Sequence, residues 1–131
     1  MQATGGEKAL LDAAQNDLRM AVFNLVEERR HLGQSKWASL QFTEKSIKAK
    51  LASAGIPFPH SHKLSKLSDA GESAGLFQLD SKLLDKIQSG AAVRYGEETV
   101  TFSQAMAAHE ASVSVVGSVF AIDGFSFDWE N

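Results

Sequence analysis

Apolar residues recur every three or four positions along most of this chain, and nowhere do they alternate every second position for long enough to suggest a sheet. Over residues 6–31 the stripe is Leu10, Leu11, Ala14, Leu18, Ala21, Val22, Leu25 and Val26. Such spacing lines one face of a helix, and that face must be buried against another element. With no strands to supply a sheet, helix must pack on helix.

Further stripes follow the first. Arg29, Arg30 and His31 fall in the last turn of the first helix, where cations suit the dipole, and Gly33 is expected to close it. A second helix is predicted from Gln34 and Ser35, with Ser35 as its cap, and Trp37, Leu40, Glu44, Ile47, Lys48 and Leu51 on one face before Gly55. Phe42 lies off that face, which points to a second packing surface on another helix or another subunit. After the loop bearing Pro57 and Pro59, Ser61 is expected to cap a third helix holding Leu64 and Leu67. Residues 69–75 read as a Gly/Ser break, 76–89 as a short helix and 91–100 as irregular, with a turn at Tyr95 and Gly96.

The last long helix starts at Thr101 or Ser103. Its stripe is Phe102, Ala105, Met106, His109, Ser112, Val113, Val116, Val119 and Phe120. The expectation is an all-α fold: a four- to five-helix up-and-down bundle over residues 1–121, with an acidic aromatic tail over 122–131.

Charge is unevenly distributed. The chain carries 13 basic and 16 acidic residues for a net charge of −3, yet residues 45–68 hold five lysines, two histidines and no carboxylate. A basic strip on an acidic protein makes a local field that attracts phosphates; a solvated helix face is the plainer alternative. There is no cysteine, hence no disulfide, thiol nucleophile or thiolate metal site, which is compatible with the expected cytoplasmic location. The N-terminus lacks the basic and apolar regions of a signal peptide. The most apolar run, 113–122, falls short of the ~20 residues that span a membrane, so no membrane partner is expected. Phosphate-loop, dinucleotide, zinc-protease, EF-hand and nucleophile-elbow motifs are all absent.

The run from Trp37 to Leu67 contains Glu44, Lys45, Lys48 and Leu51, then His62, Leu64 and Leu67 after the proline loop, and Arg94–Tyr95 precedes a last helix with Ala105, Ala108 and Ala111. In order and spacing this resembles the HEPN domains (higher eukaryote and prokaryote nucleotide-binding), with the likeness covering roughly residues 8–119. The resemblance implies a helical bundle, commonly an antiparallel homodimer. It also implies one of three roles: metal-independent ribonuclease, subunit accompanying a minimal nucleotidyltransferase in a toxin–antitoxin-like pair, or nucleotide-binding or interaction domain. The ribonuclease branch uses R-x(4–6)-H on the last helix. Here Arg94 and His109 are fifteen apart, and no arginine stands at that spacing before a histidine, so the chain departs from that branch.

The candidate ligand-binding residues are Lys45, Lys48, His62, Arg94 and Tyr95. Lys45 and Lys48 lie one turn apart, able to share an anion, although Glu44 and Lys48 also form a helical i,i+4 pair. His62 is placed either to bond a phosphate or to fix the start of the third helix. Arg94 is able to fork onto a phosphate while Tyr95 stacks on a base; tying the loop to the bundle is the alternative. His109, on an apolar stripe, reads as a core or interface histidine. His60 and His62 have no carboxylate or third histidine nearby in sequence, so no metal site is expected; no cofactor is expected, and with the R-x(4–6)-H pattern absent no catalytic residue is assigned.

Three functions follow. The leading one is a non-catalytic domain binding a nucleotide or phosphate-bearing ligand, or serving a nucleotidyltransferase partner. The second is a degenerate ribonuclease pairing Arg94 with His62 or His109. The third is an interaction module using the Phe42 face and the tail.

Overall fold

The structure, a computed structural model, describes residues 5–26 and 31–120. Arg29, Arg30 and the tail from residue 122 lie outside the described residues. Among those described, all regular structure is helical: α1 Gly5–Val26, α2 Leu32–Ser53, α3 Leu64–Ser73, α4 Ser81–Ile87, α5 Ala91–Arg94 and α6 Phe102–Phe120. None of these helices is long and apolar enough to cross a membrane. The helix count exceeds the expected four to five because α5, a single turn, forms within the stretch read as irregular.

Helix α2 is central, packing against α1, α3, α4, α5 and α6. Its Leu40, Ile47 and Leu51 enter the larger core with Leu64, Leu67, Leu84, Ile87, Val115 and Val119. Its opposite side buries Phe42 with Ala14, Leu18 and Val116, from α1 and α6. Phe42 is 0% exposed, so the second packing surface it signalled lies inside the protein and not on a subunit interface.

Burial on two sides explains the composition of α2. Ser35, Ser39, Thr43 and Ser46 are all buried, which small side chains allow by letting neighbouring helices approach. Thr43 Oγ1 donates to Ser39 O at 2.9 Å, and Ser46 Oγ to Phe42 O at 2.7 Å, so these hydroxyls are satisfied within their own helix.

Two expectations about helix ends are corrected. Helix α2 starts at Leu32 after His31, so Gly33 lies inside it and does not close α1. An added Cβ at Gly33 would come within 3.0 Å of the Val93 carbonyl oxygen, so glycine serves close packing against α5. Ser35 is not a cap either; it is buried and its Oγ donates to Ala21 O at 2.7 Å, tying α2 to α1.

The third and fourth helices also shift. Helix α3 runs through the expected break to Ser73, with Gly71 packed on the Phe77 ring. Its N-cap is Lys63, while Ser61 Oγ accepts only the Lys63 N–H at 3.1 Å. Helix α4 is shorter than expected because Asp80 caps it, accepting from Lys82 N at 2.9 Å.

The final helix starts where expected. Thr101 Oγ1 accepts from Gln104 N at 3.1 Å, and Gln104 Oε1 accepts from Thr101 N at 2.9 Å, forming a capping box.

Candidate functional site

Two of the expected site residues, Arg94 and His62, stand beside Trp37, a half-buried side chain on α2, and Tyr95 follows Arg94. The Arg94 guanidinium carbon lies 5.8 Å from the centre of the Trp37 ring system and 5.4 Å from that of Tyr95. The His62 ring lies 6.3 Å from Trp37, tilted by 47°. His62 leads on to Glu44, whose Oε1 is 2.7 Å from its Nδ1, and Glu44 Oε2 lies 3.8 Å from Lys48 Nζ.

Arg94 is held from below. It ends the single turn of α5, whose Val93 is buried and packs against Gly33. Gly96, at φ 76°, takes the left-handed conformation that lets Glu97 N and Gly96 N bond back to Ala92 O and Val93 O at 2.9 and 3.4 Å. The guanidinium itself stays exposed between its two rings and meets no carboxylate among the described residues. Tyr95 is 67% exposed, an open aromatic face beside that charge.

His62 is fixed from two directions. Gln88, at the end of α4, donates through Nε2 to His62 O at 3.0 Å and accepts from Leu64 N at 2.8 Å. Glu44, 3% exposed, engages Nδ1 from the core side while the His62 side chain remains 71% exposed. This turns Nε2 toward solvent.

The lysine clamp is not formed. Lys45 Nζ reaches Asp17 Oδ2 on α1 at 2.6 Å, whereas Lys48 turns to Glu44 and lies 5.8 Å from the centre of the Phe58 ring. Each ammonium meets a carboxylate from outside the acid-free window, so the strip is less positive in space than in sequence. Nor does folding join Arg94 to His109: α5 and α6 make no contact. His109 is half-buried, and that desolvation lowers its pKa below 6.5, with nearby Glu110 opposing the shift.

A cleft of about 360 Å³ runs between α1 and α2 up to Arg94. Asp17, Met20 and Asn24 line it from α1; Gln34, Trp37, Ala38, Gln41 and Lys45 line it from α2. Gln41 Nε2 is buried there without a hydrogen-bond partner, a state that costs about 1–3 kcal/mol. A second hollow, of about 430 Å³, shares Gln34 and Arg94 and is bounded by Leu32, Gly33 and Tyr95. Arg94 thus stands at the rim of both.

Sequence reasoning missed Trp37, Asp17 and Gln41 as site residues. A signal existed: Trp37, Gln41 and Lys45 are spaced by four on α2, and Asp17, Met20 and Asn24 by three and four on α1, so each set shares a helix face. Among the described residues no group of three histidine, aspartate or glutamate side chains is arranged to hold a metal ion. No family model matches this chain, and neither curated proteins nor solved structures give a match.

Proposed function

We propose that this chain is a non-catalytic, HEPN-type helical domain that binds a nucleotide or another phosphate-bearing ligand at Arg94. The observation that carries the reading is the Arg94 guanidinium, exposed between Trp37 and Tyr95 and unopposed by any carboxylate among the described residues. Guanidinium groups bind phosphate through paired charge-assisted hydrogen bonds, and flanking aromatic faces suit a base. His62 adds a donor on the same Trp37. Lys45 and Lys48 contribute less, because Asp17 and Glu44 already offset their charges.

The HEPN assignment rests on the order of motifs, and with it come an antiparallel homodimer and a nucleotidyltransferase partner as parts of the same proposal. Met20 and Phe23, 42% and 50% exposed and three apart on α1, give such a contact an apolar surface. Phe42 gives none.

Isothermal titration with nucleoside monophosphates and inorganic phosphate tests the site. Arg94→Ala is expected to weaken binding by roughly 10- to 100-fold, the equivalent of one charge-assisted contact of about 1.5–3 kcal/mol, and to flatten its salt dependence. The absence of binding to any of these probes at millimolar concentration overturns the proposal.

One observation favours a second reading, a degenerate ribonuclease using Arg94 and His62. Glu44 orients His62 with Nε2 outward, as an acid–base group needs. Metal-independent RNA cleavage that disappears in His62→Ala replaces the non-catalytic reading with this one.

A further inference from the structure

We infer that the cleft between α1 and α2 selects guanine nucleotides, with the base at Asp17 and Lys45 and the phosphate at Arg94. The inference deepens, and rests on, the phosphate-anchoring reading of Arg94.

The cleft has two chemically different ends. Asp17 and Lys45, paired at 2.6 Å, form one; Gln34 and Arg94 form the other. Lys45 and Gln34 are eleven residues apart on α2, about 16 Å along the helix axis. A phosphate at the first end meets the Asp17 carboxylate, so it is directed to the second. The base then lies toward Asp17, passing the Trp37 ring, which provides a stacking wall. About 360 Å³ is near the lower limit for ligand clefts, suited to one nucleotide and too small to enclose a polymer.

The polar groups at the base end specify an edge. An ionised carboxylate only accepts hydrogen bonds, and Lys45 engages Asp17 through Oδ2, leaving Oδ1 open. Gln41 sits one turn before Lys45 with its Nε2 donor buried and unpartnered. The complementary edge has two adjacent N–H donors beside an acceptor. Guanine carries that set: N1–H and the 2-amino group for Asp17, and O6 for Gln41 or Lys45. Adenine and uracil each have only one N–H donor group on that edge.

Isothermal titration of the intact chain with guanosine, inosine, adenosine and uridine 5′-monophosphates, and with inorganic phosphate, tests this. Inosine differs from guanosine only in lacking the 2-amino group. Guanosine monophosphate is expected to bind at least tenfold more tightly than any of the others. Asp17→Asn should remove that preference while leaving helical circular dichroism unchanged; Arg94→Ala should weaken every nucleotide alike. Equal affinity for guanosine and inosine monophosphates in the wild-type protein overturns the base assignment without depending on any variant. If phosphate and nucleotides nevertheless bind through Arg94, the function proposed above stands alone. If no nucleotide and no phosphate binds, both readings fall.

Discussion

Replacing Gly33 by alanine sets two effects of opposite sign against each other. Gly33 lies in α2, where alanine is the better helix former by about 0.5–1 kcal/mol. Yet an alanine Cβ there would stand 3.3 Å from the Val93 carbonyl carbon and under 3.0 Å from its oxygen. The obstacle is backbone, so no rotamer change relieves it; α5 must move away from α2. Overpacking of this kind costs about 1–3 kcal/mol. The clash therefore wins, and Gly33→Ala should destabilise the fold by about 1–2 kcal/mol, lowering Tm by about 3–10 °C in a domain of this size. Urea unfolding followed by helical circular dichroism measures the change, with Gly6→Ala as control, because nothing lies within 4 Å of a Cβ at Gly6. The control keeps only the helix-propensity term and should be as stable as wild type or more stable by up to about 1 kcal/mol. Since α5 carries Arg94, the same variant should also weaken phosphate binding. A Gly33→Ala protein as stable as wild type refutes the close α2–α5 contact and the positioning of Arg94 that depends on it.

Phe42→Ala should cost about 3–5 kcal/mol by urea unfolding, because the ring fills the core between α1, α2 and α6; a loss below about 1 kcal/mol contradicts that placement. His109 makes stability depend on pH. Burial lowers its folded pKa below 6.5, so as pH falls through the unfolded value the unfolded chain takes up a proton that the folded protein resists. That contribution is harmless above about pH 7 and destabilises the fold as the solution is acidified through the unfolded pKa near 6.5. Unfolding midpoints between pH 5 and 7.5 should therefore fall less steeply in His109→Gln than in wild type, and identical slopes would remove His109 from the account.

The helical class, the start of α1 and the approximate extents of α2 and α6 were legible in the sequence, because apolar spacing of three and four residues is a local property that survives in any packing arrangement. So were the cap at Thr101 and the turn at Gly96, which use hydrogen bonds within a few residues. Gly33 and Ser35 misled for the opposite reason. In isolation they read as a helix end and a cap, but their roles depend on Val93, sixty residues away, and on Ala21 in another helix. Phe42 likewise announced a second surface without saying that α1 and α6 would cover it. The basic strip shows the same division in its charges. Five lysines in a run are visible in the sequence, but Asp17 comes to Lys45 from α1, and the carboxylate of Glu44 turns inward to reach both Lys48 and His62. Local periodicity thus determined the helical class and the long helices, while α3, α4 and α5 departed from it. Only the packing of α1, α2 and α5 brought Asp17 to Lys45 and left Arg94 without a carboxylate among the described residues, because Coulomb compensation depends on distance through space and not on separation along the chain.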